Sequence, residues 1–327
     1  LHYLNGDGTQ TPKLGSDPYH VIDNVWAWEC KGAGFRIEGR GEGIYSNMVA
    51  RDCDGIGFDI QTVDSRWMNL SAGNCGAQGI LLAGGNNTIT NAKAFYNGRL
   101  LPAVGHGFHI TASNNTLNGV EAQDNDFHGF FLDTVSNIAI SGLHADSNSA
   151  GHYDAIDRSA AGVEFSNTGD CQVSGLSWDR NANPRRQKYG VGFSNGSTRN
   201  KVDVTFKGNT VRRVRMDSGS VEGNFVVVPK AMKSYAPPTI TPNPWLGALI
   251  TCYMTSDITV NAPLEPHAGM ELVFSFSQDA PGLPARVVTW NSIFKGIGGW
   301  QPATAAYAIS GISFIYDGAV WVRTGSS

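Results

Sequence analysis

The chain has 327 residues, 40 of them Gly and 14 Pro, with 16% charged residues and a formal net charge of −4. That length supports a large core and about two domains. So mild an acidity speaks against a nucleic-acid surface or a basic membrane stripe, and no apolar run approaches the roughly 20 residues of a membrane span.

Residues 1–19 carry Asn5-Gly-Asp-Gly-Thr9 and Pro12, turn chemistry that reads as a leading loop. A calcium loop would need a fuller ligand set. The chain starts at Leu1 and shows no signal peptide, which raises the expectation that its natural N-terminus lies elsewhere.

Residues 20–233 read as a solenoid of strands. Cys30, Cys53, Cys75, Asn97, Asn125, Asn148, Asn181 and Asn209 follow one another at spacings of 23, 22, 22, 28, 23, 33 and 28. Five residues before each stands an apolar residue, from Val25 and Met48 to Leu176 and Val204, and three before stands a small or apolar one, from Ala27 to Phe206. Apolar positions two apart, with a changeable residue between, mark a strand with one buried face. After each column residue a Gly opens a second short strand, as in Gly57-Phe-Asp-Ile60, Gly107-Phe-His-Ile110, Gly129-Phe-Phe-Leu132 and Gly162-Val-Glu-Phe165. A period of about 22 residues with two strands per unit predicts a parallel β-helix, right-handed by the usual sense of parallel crossovers. Stacked Asn side chains at rungs roughly 4.8 Å apart can pass amide hydrogen bonds along the axis. The three Cys extend that column as small packing residues; reduced thiols are the favoured reading, and a disulfide between adjacent rungs is compatible with the distance although three stacked thiols cannot all pair. No close-spaced Cys or His set suggests a metal ligand, and no cofactor is implied.

Ser234 to Pro244 holds four prolines, so residues 234–246 are read as a linker. Beyond it the period is lost. Leu249–Thr255, Met270–Gln278, Ala285–Asn291 and Ile309–Tyr316 alternate as strands, with Phe274, Phe276, Trp290, Phe294, Trp300, Phe314 and Trp321 as aromatic core. Residues 247–327 are therefore expected to form a small antiparallel β-sandwich. The fold class is all-β, a right-handed parallel β-helix followed by that sandwich.

Three resemblances rest on stretches of this sequence. The run Pro263 to Asp279, with Val287-Val-Thr-Trp-Asn291 and Ile312 to Trp321, resembles the C-terminal β-sandwich of bacteriophage tail spikes and tail fibres. The solenoid is similar to the pectin-lyase-like β-helices with which tail spikes bind and cut bacterial surface polysaccharide. This likeness implies a homotrimer in the virion, joined to the phage tail or baseplate through an N-terminal part outside this sequence. Gly57-Phe-Asp59 and Asp126-Phe-His-Gly-Phe130 are also similar to mannuronan epimerases. That family's His two residues after the strand Asp is Gln61 here, which counts against an epimerase site.

Insertions in a solenoid gather on one face. Three follow the column, at Gly98–His106, Ser149–Ala161 and Ala182–Tyr189, and can wall a groove over the outward positions His109, Phe131 and Glu164. Glycoside hydrolysis needs two carboxyl groups, one protonated and one ionised. Asp154, Asp157 and Glu164 are the candidates, although either Asp could equally cap a turn. A lyase needs a base and a cation beside a uronate. His109, His152, Tyr153 and Arg158 suit those roles, as does His128 with Asp133. The basic insertion could grip an acidic sugar through Arg180 and Arg185, with Trp178 or Tyr189 stacking on a pyranose ring. Its plainer reading is a solvated loop. The expected function is depolymerisation of a capsule, exopolysaccharide or lipopolysaccharide, hydrolysis favoured. Elimination, or binding without cleavage, are the alternatives.

Overall fold

The structure is a computed structural model. It describes residues 21–40, 42–149, 160–180, 187–209, 212–217, 220, 224–226, 232–235, 238–244, 248–264, 266, 269–278 and 284–326. The leading segment 1–19 lies outside them. The chain divides into two compact units, Leu1–Val226 and Val227–Ser327.

The first unit is the expected solenoid of parallel strands. Among the described residues, one long sheet takes the first strands of each coil, such as Ile44–Arg51, Thr88–Phe95 and Thr116–Gln123. A second sheet of eight strands takes the later ones, from Phe35–Arg40 through Phe108–Ile110 and Ala161–Ser166 to Arg212–Met216. Each strand pairs in parallel with its counterpart one coil away, so Met48 aligns with Leu70 and Ala50 with Ala72.

Inward positions stack like on like. Phe108 lies 4.7 Å from Phe130, Phe165 4.8 Å from Phe193, and Tyr45 3.9 Å from Trp67, ring centroid to centroid. All six rings are buried, and each contributes about 1.5–3 kcal/mol of transfer free energy.

The long strands bend in a way the alternation does not announce. Asn47, Asn69, Asn91, Gly119 and Gly142 each stand fourth in an eight-residue strand, at φ of 54°, 56°, 53°, 60° and 62°. Asn and Gly tolerate this left-handed conformation best. A single such residue folds the strand into two arms and shifts the inward positions by one, so that Tyr45 is followed by Met48 and Ala50. On the outside, Asn69 donates to Asn47, and Asn91 to Asn69, each at 2.8 Å.

The buried amide column is present, with one substitution. Asn97 Nδ2 donates to Asn125 Oδ1 at 2.8 Å and Asn125 Nδ2 to Asn148 Oδ1 at 2.9 Å. The next rung is Gln187, which accepts from Asn148 at 3.2 Å and donates to Asn209 at 2.8 Å. Gln187 thus holds the place expected for Asn181, which lies outside the described residues. The insertion precedes this rung instead of following it. A second amide column, not anticipated, runs down another corner through Ser65, Asn87 and Asn115 and resumes at Asn200 and Asn224. All five cysteines are free.

The second unit has its own core, in which Phe274, Phe276, Phe314 and Trp321 are fully buried. Its larger sheet is mixed. Glu271–Gln278, Ile309–Tyr316 and Trp321–Ser326 pair antiparallel, whereas Met232–Tyr235, Leu249–Met254 and Glu271–Gln278 pair in parallel. Antiparallel pairing follows the tight turn where Asp317 Oδ1 accepts from Ala319 N and Val320 N. The parallel strands are joined by crossovers through a small second sheet of Thr239–Ile240, Ile258–Val260 and Val288–Trp290, as parallel pairing requires. The stretch 234–246, read as a linker, therefore contributes the end of one strand and the whole of another. Both are edge strands, where neighbouring prolines do no harm.

Candidate functional site

One outward column of the second sheet brings several ionisable residues into line. Strand register sets Arg36, Asp59, Leu81, His109, Phe131, Glu164, Gly192 and Arg215 on successive coils. The inward neighbours of His109, Phe108 and Ile110, are buried, so strand alternation turns the imidazole outward.

Glu164 is outward by alternation yet only 3% exposed. Its Oε1 is in ion-pair contact with Arg215 and accepts from Ser194 Oγ at 2.8 Å. Its buried Oε2 has no hydrogen-bond partner among the described residues. Gly192, on the next coil, makes the room: a Cβ there would stand 1.9 Å from Oε2. Burial pushes the carboxyl pKa up to about 7, against the opposing pull of Arg215 and the Ser194 hydrogen bond. The Arg215 guanidinium lies over the Tyr189 ring, 5.1 Å from its centroid.

Beside it is a cluster of imidazoles and phenyl rings. His106 and His128 stack in parallel at 5.4 Å, with His109 5.2 Å from His106 and Phe131 4.7 Å from it. Burial holds all three His pKa values below the ordinary value, that of His128 at about 3, so the rings are neutral at physiological pH. His128 Nδ1 accepts from Ala161 N at 2.9 Å. Gln78 Nε2 stands 3.3 Å from His109 Nδ1, which leaves the ring proton on Nε2, facing Asp133 Oδ2 at 3.5 Å.

His109, Glu164 and Tyr189 are thus brought to one surface. Asp133 meets His109 and not His128, because Asp133 follows the strand position opposite His109. Trp178 belongs to the long sheet, stacked on His144 at 6.4 Å under Lys207 at 4.3 Å. Arg180 is held by two buried carboxylates, Asp124 and Asp146, each at 3.0 Å. Trp178 and Arg180 thus belong to the long sheet and its edge, whereas Tyr189 stands on the second sheet. Asp154, Asp157, His152, Tyr153, Arg158 and Arg185 lie outside the described residues. Nor did sequence reasoning pick out Arg215, Ser194, Gly192 or His106. Continuing the outward column through Gly190-Val-Gly-Phe193 to Arg215 would have found two of them.

Asp59 forms a separate group. Gln61 donates to both its oxygens at 3.1 Å and Arg36 stands at 3.5 Å, one Leu-bearing coil away from His109. No protein-family model, curated protein or solved structure matches the chain.

Proposed function

We propose that this protein hydrolyses glycosidic bonds of a bacterial surface polysaccharide on the outward face of its second sheet, as part of a phage tail spike. The feature that carries the reading is Glu164, a buried carboxyl whose pKa burial pushes up to about 7 and whose Oε2 meets no partner among the described residues. Such a group is a general acid for a leaving glycosidic oxygen. Arg215 and Ser194 fix Oε1, so the proton is carried on Oε2, which lies buried over Gly192. Asp133, with a side chain 37% exposed, is the matching base for a water. It stands one rung and two residues from Glu164, a Cα separation of roughly 8 Å from strand spacings. Both side chains leave the same face of the sheet, and inverting hydrolysis uses two carboxyls set apart to leave room for a water. His109 Nε2 faces Asp133 Oδ2 at 3.5 Å, and Thr134 Oγ1 donates to Asp133 Oδ1 at 3.0 Å.

The likeness of Pro263 to Asp279 to tail-spike C-terminal domains supports the phage setting. With it go a homotrimer, a virion location and attachment through a further N-terminal part. One observation favours a second chemistry. His109 is kept neutral by burial, and a neutral imidazole can take the proton beside a uronate.

Purified capsule or lipopolysaccharide, incubated with the protein and followed by chain length and reducing ends, tests the proposal. Glu164→Gln is expected to lose about 10²–10⁴ in rate with the fold intact. Wild-type turnover in that variant removes Glu164 from the mechanism, and polymer bound without shortening makes the protein a receptor-binding spike. Products with the ultraviolet absorbance of an unsaturated uronate would assign elimination instead.

A further inference from the structure

The geometry points to a modification site in the first three coils: Cys30 and Cys53 close an inter-coil disulfide when the protein meets a small-molecule disulfide, and Cys75 keeps its thiol. The three cysteines stand in one register. The strands before them end at Trp28, Arg51 and Gly73, which are aligned partners. Each strand is followed by one residue in the left-handed conformation, Glu29, Asp52 and Asn74, and then by the cysteine. Backbone pairing continues through the turn, with Asp54 N donating to Cys30 O at 2.8 Å and Gly76 N to Cys53 O at 2.7 Å. Neighbouring Cα atoms are therefore about one rung apart, roughly 4.8 Å, inside the span that a disulfide bridges.

The sulfurs point the same way. Each approaches the carbonyl two residues before it, at 3.9, 3.5 and 3.6 Å for Cys30, Cys53 and Cys75. Cys53 Sγ also lies 4.0 Å from Ala27 O on the coil of Cys30.

Access decides which pair forms. Cys53 and Cys75 are fully buried, whereas Cys30 is partly exposed. The Cys30 thiolate attacks one sulfur of the oxidant, forming a mixed disulfide and releasing one small thiolate. Cys53 then attacks the Cys30 sulfur and expels the second. The two protein thiols give up two electrons and two protons, and the oxidant leaves as two thiols. Hydrogen bonds, first from the Cys75 thiol, draw the Cys53 pKa down to about 6, which favours the resolving step. Burial pushes Cys30 up to about 11, so the first step is the slow one and the mixed disulfide does not accumulate.

The test is to incubate the full chain with glutathione disulfide, count free thiols after denaturation and map peptides without reductant. Wild type is expected to lose two of its five thiols to a single Cys30–Cys53 link. Cys53→Ser should stall at a glutathione adduct on Cys30. Cys30→Ser, at the partly exposed position, should fold and keep every remaining thiol. Five free thiols in oxidised wild type, a link to Cys75, or a persistent adduct on wild-type Cys30 would each overturn the assignment.

Discussion

Glu164 sits between opposed influences. Burial raises its pKa, while the Arg215 guanidinium and the Ser194 hydroxyl pull against it, leaving the carboxyl at about 7. On the proposed mechanism the protonated form is the active one, so the rate should fall as pH rises through about 7. Because Arg215 lowers that pKa, Arg215→Met should carry this alkaline limb to higher pH, which a pH–rate profile on purified polysaccharide would read. Gly192 tests the same carboxyl by shape. A methyl group at Gly192 occupies the place of Oε2, so Gly192→Ala should swing Glu164 out of its cradle. The expected result is a loss of cleavage of about 10²-fold or more with an unchanged circular dichroism spectrum. Glu164 and His109 were legible in the sequence because strand alternation alone turns them outward. Arg215 was not, since it reaches Glu164 from two coils away, and stacking brings together residues 51 positions apart.

At the scale of the element, the amide columns do what hydrogen bonds within a strand cannot: they satisfy polar groups at the buried corners of successive coils. Asn125 is the test position. It accepts from Asn97 Nδ2 and from Asn97 N, and donates to Asn148 Oδ1 and Ala94 O. Asn125→Leu leaves these buried partners unmade, each at a cost of about 1–3 kcal/mol, and should lower the denaturant midpoint without changing the slope. Repetition made this column readable, and irregularity hid its remainder. The insertion after Arg180 moves the rung from Asn181 to Gln187, whose longer side chain reaches the same place. The second column was hidden because Ile138 and Cys171 interrupt it. The left-handed corners at Asn47, Asn69 and Asn91 were hidden because they fall inside strands.

For the whole molecule, two units with separate cores predict separate unfolding. Phe274 is buried among Trp290, Phe294 and Phe314 in the second unit. Phe274→Ala removes about 3–5 kcal/mol from that unit, and calorimetry should show one transition falling while the other holds. Alternation located the strands of this unit closely but not their direction, which depends on how they are connected. Pairing across Tyr316 and Trp321 follows from a short turn that the residues Asp317 and Gly318 announce. Parallel pairing of Leu249–Met254 with Glu271–Gln278 depends on a detour through another sheet, and no local pattern encodes that.

The strict 22-residue step that links Asn47 to Asn69 to Asn91, and Ser65 to Asn87, belongs to coils that lie ahead of Glu164 and Arg215. Those coils repeat one backbone register, each pairing with the next in the same way. Removing one whole 22-residue period there is expected to shorten the solenoid by about 4.8 Å, with Glu164 and Arg215 keeping their own neighbours.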